Sequence, residues 1–194
     1  LFRSPRDQYR YGFELHLDRD TALPLKSLLL NDQGQLLERF QFTRLNTSVT
    51  PDDRDLQPTG DCTPIAVATA KTAEVQPTEE WHLEWLPPGF QLTNSSARKD
   101  TQTKATVDSR MYEDGLARFS VFLEPISGAS VTETRTQLGP TVAVSRRLNT
   151  VDGEMMVTVV GEIPIGTAER LALSVRVEKI DRKSTRLNSS HQYY

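Results

Sequence analysis

Hydrophobic and polar positions alternate over much of this chain, with the two-residue period of half-buried strands. In residues 9–18 the set Tyr9, Tyr11, Phe13, Leu15 and Leu17 falls on one face, and Arg10, Glu14, His16 and Asp18 on the other. Residues 24–31 and 36–45 are two more apolar runs. The separators at 18–21 and 31–35 are rich in Asp, Asn and Gly, which favour turns. Three runs with short connections predict an antiparallel meander. Three strands leave open edges and a bare face, so the meander reads as the end of a larger sheet whose front lies upstream of Leu1.

The pattern fades in residues 46–80, which carry Pro51, Pro58, Pro64 and Pro77 among many Thr and Asp residues. This stretch reads as a linker, with a short strand or helix at 65–70. Patterning resumes at Trp81, where Trp81, Leu83 and Trp85 share one face of a short strand ended by Pro87-Pro88-Gly89. Residues 93–106 are polar and are expected to loop out. Residues 109–112 and 116–124 flank Asp114-Gly115, the dipeptide of a type I′ hairpin turn. Residues 141–148 and 154–161 flank a second such pair, Asp152-Gly153. A two-residue turn there pairs Leu148 with Val157 and Arg146 with Val159. Val142, Val144, Leu148, Val157 and Val159 then share a face.

Burying each of those side chains yields about 1.5–3 kcal/mol gross. Backbone ordering opposes it at about 1–2 kcal/mol per residue, so the hairpin needs a partner to pack on. Residues 164–177 supply one, with two periods superposed. Ile165, Ala168, Ala172 and Val175 have helical spacing, while Leu171, Leu173, Val175 and Val177 alternate as in a strand. Pro164 ahead of Thr167-Ala168-Glu169-Arg170 favours a helix starting near Gly166. Residues 181–194 have no apolar period and are read as a non-native tail with few contacts. The expected class is mainly β (α+β): a partial antiparallel sheet in 1–45, a linker in 46–80, and a small antiparallel β domain with one C-terminal helix in 81–180.

Composition narrows the function. With 194 residues and a formal net charge of −3, the chain presents no general basic field for nucleic acid. No stretch approaches the roughly 20 apolar residues of a membrane-spanning helix. Cys62 is the only cysteine and cannot form an internal disulfide, and its polar, Thr/Pro-rich surroundings supply nothing to activate a thiol. No phosphate loop, nucleophile elbow, paired-His helix or Cys-x-x-Cys occurs, and His16, His82 and His191 are scattered. No catalytic, metal or cofactor site is expected. Two features remain. The aromatic set Tyr9, Tyr11, Phe13, Phe40 and Phe42 forms either sheet core or the lining of an apolar lipid cavity. Trp81 and Trp85 serve either core packing or anchoring of a protein partner.

Four segments, Tyr9-Arg10-Tyr11-Gly12-Phe13-Glu14-Leu15-His16-Leu17-Asp18, Trp85-Leu86-Pro87-Pro88-Gly89-Phe90, Tyr112-Glu113-Asp114-Gly115-Leu116-Ala117-Arg118-Phe119-Ser120-Val121 and Val160-Gly161-Glu162-Ile163-Pro164, occur in that order. Together they resemble the sigma-E factor regulatory proteins of the RseB/MucB family. The resemblance runs from about Arg6 to Val177, without support in 46–80 and 93–106. It implies a front domain like the lipoprotein carriers LolA and LolB, present here only in its last strands, followed by the family's C-terminal domain. It also implies a periplasmic, non-enzymatic protein that binds the periplasmic part of an anti-sigma factor such as RseA or MucA and shields it from proteolysis. Release would come from lipopolysaccharide or lipoprotein acyl chains. The candidate partner-binding residues are Glu113, Asp114, Arg118, Glu162, Trp81 and Trp85. A periplasmic lipid or lipoprotein carrier is the competing expectation.

Overall fold

A computed structural model of the chain describes residues 2–3, 7–58, 60, 62, 80–100, 103–126, 132–151 and 153–178. The expectations for 65–70 and for the tail at 181–194 lie outside the described residues.

The front sheet is antiparallel, in the order β1 (Phe2–Arg3), β2 (Gly12–Leu17), β3 (Pro24–Leu30) and β4 (Leu36–Gln41). The register places Phe13 opposite Leu29, and Leu15 opposite Ser27, which in turn faces Phe40. Side chains two apart on a strand share a face, so Phe13, Leu15, Leu17, Leu29 and Phe40 form one apolar face. That face is only partly covered: Leu29 is buried and Phe13 and Leu15 are half-buried, but Phe40 keeps 55% of its surface and Leu17 45%. Residues 46–57 contain no strand or helix.

The rear half begins with β5 (Glu80–Leu83). Six antiparallel strands and one helix follow in chain order: β6 (Gln91–Lys99), β7 (Thr106–Glu113), β8 (Arg118–Pro125), β9 (Thr134–Leu138), β10 (Thr141–Thr150), β11 (Gly153–Gly161) and α1 (Ile165–Ser174), ahead of β12 (Val175–Glu178). Strands β6 to β11 make one six-stranded sheet in the order β6-β7-β8-β11-β10-β9, and β12 pairs with β5 separately. One face of the sheet contributes Phe119, Val121, Leu123, Val142, Val157 and Val159. Helix α1 brings Ala168, Leu171 and Ala172 onto it, and all are buried with Trp81, Ile163 and Val175. The hairpin thus has the packing partner its energetics demand.

Four expectations are corrected in detail. Residues 93–99 do not loop out: they belong to the edge strand β6, Gln91–Lys99. Only Ala97 along it is buried, and its stability comes from the ladder to β7 rather than from an apolar side. The Asp114-Gly115 connection is not a two-residue turn, because Glu113 pairs with Arg118 and four residues intervene. Asp114 Oδ1 accepts from the Leu116 and Ala117 amides at 3.0 and 2.8 Å, and Gly115 takes the positive φ of 92°. The β10–β11 pairing is shifted by two residues from the predicted one: Thr150 pairs with Gly153, Leu148 with Met155 and Val144 with Val159. A two-residue slip keeps every side chain on its face, so the predicted core set survives it. In residues 165–178 both periods are used in succession. The helix ends at Ser174, and β-branched Val175 and Val177 continue as a strand paired to Leu83 and Trp81.

Candidate functional site

The strand pattern that begins at Tyr9 does not produce a strand there. Tyr9, Arg10 and Tyr11 precede β2 and run against the rear half. Tyr9 meets Trp85 edge to face at 4.9 Å between ring centroids. The Arg170 guanidinium sits 4.0 Å from the Trp85 ring centroid and 5.4 Å from that of Tyr9, and donates to the Tyr9 hydroxyl at 2.9 Å. Such stacking adds about 0.5–1 kcal/mol at exposed sites. The Thr167 hydroxyl donates to the Tyr9 carbonyl at 3.1 Å.

Arg10 is the centre of an ion network. It makes two hydrogen bonds to the Asp7 carboxylate at 3.2 and 3.0 Å, pairs with Asp114, and donates to the Pro88 carbonyl. Its guanidinium also lies 5.0 Å from the Phe90 ring centroid. The Pro87-Pro88-Gly89-Phe90 turn presents that carbonyl. Gly89 holds φ of 90° and the Phe90 amide donates to Pro87 at 3.2 Å, which suits a type II turn. Tyr11 is buried, and the Gln137 amide donates to its hydroxyl at 3.4 Å. Burial, with Asp32 nearby, raises the Tyr11 phenol above its ordinary pKa, so it stays protonated. Beside these contacts lies an open cleft of about 470 Å³, lined by Tyr9, Tyr11, Asn31, Gln137, Thr167 and Arg170 among others. The four segments that carry the family resemblance all reach this junction: Tyr9 and Arg10, then Trp85 and Pro88, then Asp114, then Pro164 on the cleft wall.

Of the predicted partner-binding residues, Glu113, Arg118 and Glu162 come together as an exposed charged rim. Glu113 and Arg118 are cross-strand neighbours, and the Glu162 amide donates to the Arg118 carbonyl at 3.2 Å. Asp114 is beside them but turned to Arg10, with 7% of its side chain exposed. Trp81 is 3% exposed beneath Arg110 and takes the core role, while Trp85 is partly buried at the junction. Of the lipid-cavity candidates, Phe13 and Phe40 share the open face of the front sheet, and Phe42 packs on Phe40 at 5.4 Å. Tyr9 and Tyr11 instead serve the junction. Sequence reading missed Arg10, Thr167 and Arg170, whose only signal was their place inside or beside the resembling segments. Among the described residues no group of three or more His, Cys, Asp or Glu side chains could hold a metal ion, and no helix is long and apolar enough to cross a membrane.

Comparison with known proteins agrees with this geometry. The MucB/RseB C-terminal domain matches residues 75–176, and the MucB/RseB N-terminal domain matches residues 3–60. The sigma factor AlgU regulatory protein MucB of Pseudomonas aeruginosa is 59% identical over 180 residues, covering 93% of this chain and 56% of that protein. The sigma-E factor regulatory protein RseB of Escherichia coli K12 is 29% identical over 174 residues, covering 88% and 52%. The chain therefore spans little more than half the length of these relatives. A crystal structure of MucB in complex with MucA(peri) superposes with a TM-score of 0.78 at 59% identity, covering 92% of this chain and 61% of the other. A Pseudomonas aeruginosa MucA/MucB complex gives 0.77 at 60% identity, covering 91% and 58%. A crystal structure of MucB gives 0.56 at 57% identity, covering 90% and 55%. On the two domain matches, which together take in most of its length, the chain belongs to the MucB/RseB family.

Proposed function

We propose that this chain is a periplasmic negative regulator of a sigma-E-type envelope-stress response. It binds the periplasmic region of a membrane-anchored anti-sigma factor of the MucA/RseA kind and shields it from regulated proteolysis. It acts by binding and not by catalysis. The observation that carries this reading is the 59% identity to the AlgU regulator MucB, joined to the superposition on MucB held in complex with MucA(peri). The charged rim of Glu113, Arg118 and Glu162 offers exposed groups of both signs for steering such a partner. The open apolar face of Phe13, Leu15 and Phe40 suits acyl chains of a releasing lipid, such as lipopolysaccharide or a lipoprotein. A ligand that prefers the unbound form weakens partner binding by the ratio of its two affinities. The same open face favours the second reading, a lipid or lipoprotein carrier, which would hand lipid to an acceptor without a stable protein complex.

The test is cleavage of a purified periplasmic anti-sigma fragment by its cognate protease. Saturating chain is expected to slow cleavage. Arg118→Glu or Glu113→Lys is expected to weaken protection by roughly tenfold at low salt, with the fold intact. Lipid should relieve protection only weakly, because the four strands of the front sheet offer acyl chains a surface and not an enclosed cavity. Undiminished cleavage with the fold verified by circular dichroism would reject the regulatory reading.

A further inference from the structure

We propose that residues 7–11 form a latch between the two halves, pinned by the Arg10–Asp114 ion pair, and that opening this latch lets the front sheet take a second arrangement on the rear half. The contact has the makeup of a breakable device rather than a core. Its members are single, specific contacts: Thr167 to the Tyr9 carbonyl, Arg170 between Tyr9 and Trp85, and Arg10 to Asp7, Asp114 and Pro88. The pin itself is poorly hydrated, with side-chain exposures of 19% for Arg10 and 7% for Asp114. A pair of this kind is favourable only while both partners are present. Removing one strands a desolvated charge, and the stranded charge regains water by opening the contact.

Position in the chain couples the latch to the front sheet. Tyr11 leads without a loop into β2, the strand that carries Phe13 and Leu15 on the open face. A displacement of β2 along its axis must pull on Tyr9 and Arg10. Among the family structures, MucB superposes on this chain at 0.56, whereas two MucA-complexed MucB structures superpose at 0.78 and 0.77. Identity and coverage are nearly the same in all three. The three structures thus differ in how well they superpose on this chain while matching it almost equally in sequence.

The test measures the separation of the halves directly. Spin labels are placed at Arg39 on β4 and Arg98 on β6, both exposed and outside the junction, in a Cys62→Ser background. The parent should give one narrow distance distribution by double electron–electron resonance. Arg10→Met, which leaves Asp114 unpaired, should raise a second population by about tenfold or more. Adding Asp114→Asn removes the stranded charge while keeping the oxygen that accepts from Leu116 and Ala117, and should return the single distribution. An unchanged distribution in Arg10→Met overturns the proposal, as does a second population that Asp114→Asn does not reverse. Should Arg10→Met fail to fold by circular dichroism, Thr167→Val decides. It deletes one hydroxyl contact to Tyr9, and must raise the same second population for the proposal to stand.

Discussion

The two halves of this chain use β-structure in opposite ways. The rear sheet buries one face of its central strands with α1 and the β5–β12 pair, and Val121, Val142, Val157 and Val159 lose all contact with solvent. The front sheet has the same antiparallel ladder and an apolar face, yet only Leu29 among its large apolar side chains is buried. Hydrogen-bond ladders are common to both. What differs is whether apolar area leaves water, which is the term that stabilises. A closed face makes a rigid platform, and an open one keeps its apolar surface for something else.

The largest expected effect separates the halves outright. Phe119 is 1% exposed and packs on Tyr112 and Phe90, so Phe119→Ala should cost about 3–5 kcal/mol in urea unfolding. Phe40→Ala in the front sheet should change stability by about 0.5 kcal/mol or less. Equal losses would mean that the front face is covered.

Next comes Gly161, at the point where β11 crosses Phe119. A Cβ there would lie 2.6 Å from the Arg118 carbonyl oxygen, a backbone atom that cannot swing aside. Gly161→Ala should therefore cost about 1–3 kcal/mol by overpacking. The same substitution at Gly34, where a Cβ meets nothing within 4 Å, carries only the strain of its φ of 74°. A smaller loss at Gly161 than at Gly34 would contradict the packing.

Asp108 sharpens the comparison within the rear half. It lies on the buried face opposite Ala97 and Leu123, and its Oδ1 has no hydrogen-bond partner among the described residues. Desolvation raises its pKa above the ordinary 3.8, and nearby Arg110 only partly opposes this. A carboxyl whose folded pKa is raised contributes stability that is full below the unfolded value and lost as pH rises through the folded one. The parent should thus lose stability relative to Asp108→Asn as pH rises above about 4, with a gain for the variant of the order of 1 kcal/mol at neutral pH from removing the unpartnered buried carboxylate. Parallel pH profiles would remove Asp108 from the account. The smallest effect belongs to the exposed Arg135–Glu169 pair between β9 and α1, where Arg135→Ala should cost about 0–1 kcal/mol and less at high salt.

Much of this architecture was legible in the sequence because alternation survives small errors. The two-residue slip of β10 against β11 left Val144 and Val157 on the face assigned to them. Strands without an apolar side were not legible. Every side chain of β9 is exposed, and β6 buries only Ala97, so neither carries a period to read. The junction was hidden for another reason. Arg10 and Asp114 are 104 residues apart, and no local pattern records such a pairing. Alternation even misled at Tyr9 and Tyr11, whose spacing fits β2 while their side chains belong to the rear half. The resembling segments marked the right places without giving the reason they matter.

On the proposed function, this chain holds an anti-sigma periplasmic segment. Isothermal titration of the chain with a purified MucA-type periplasmic fragment tests it most directly. The expected result is saturable binding at a defined stoichiometry, weakened by Arg118→Glu and by rising salt. The absence of any binding heat across several temperatures, with the rear domain shown folded by near-ultraviolet circular dichroism, would contradict it.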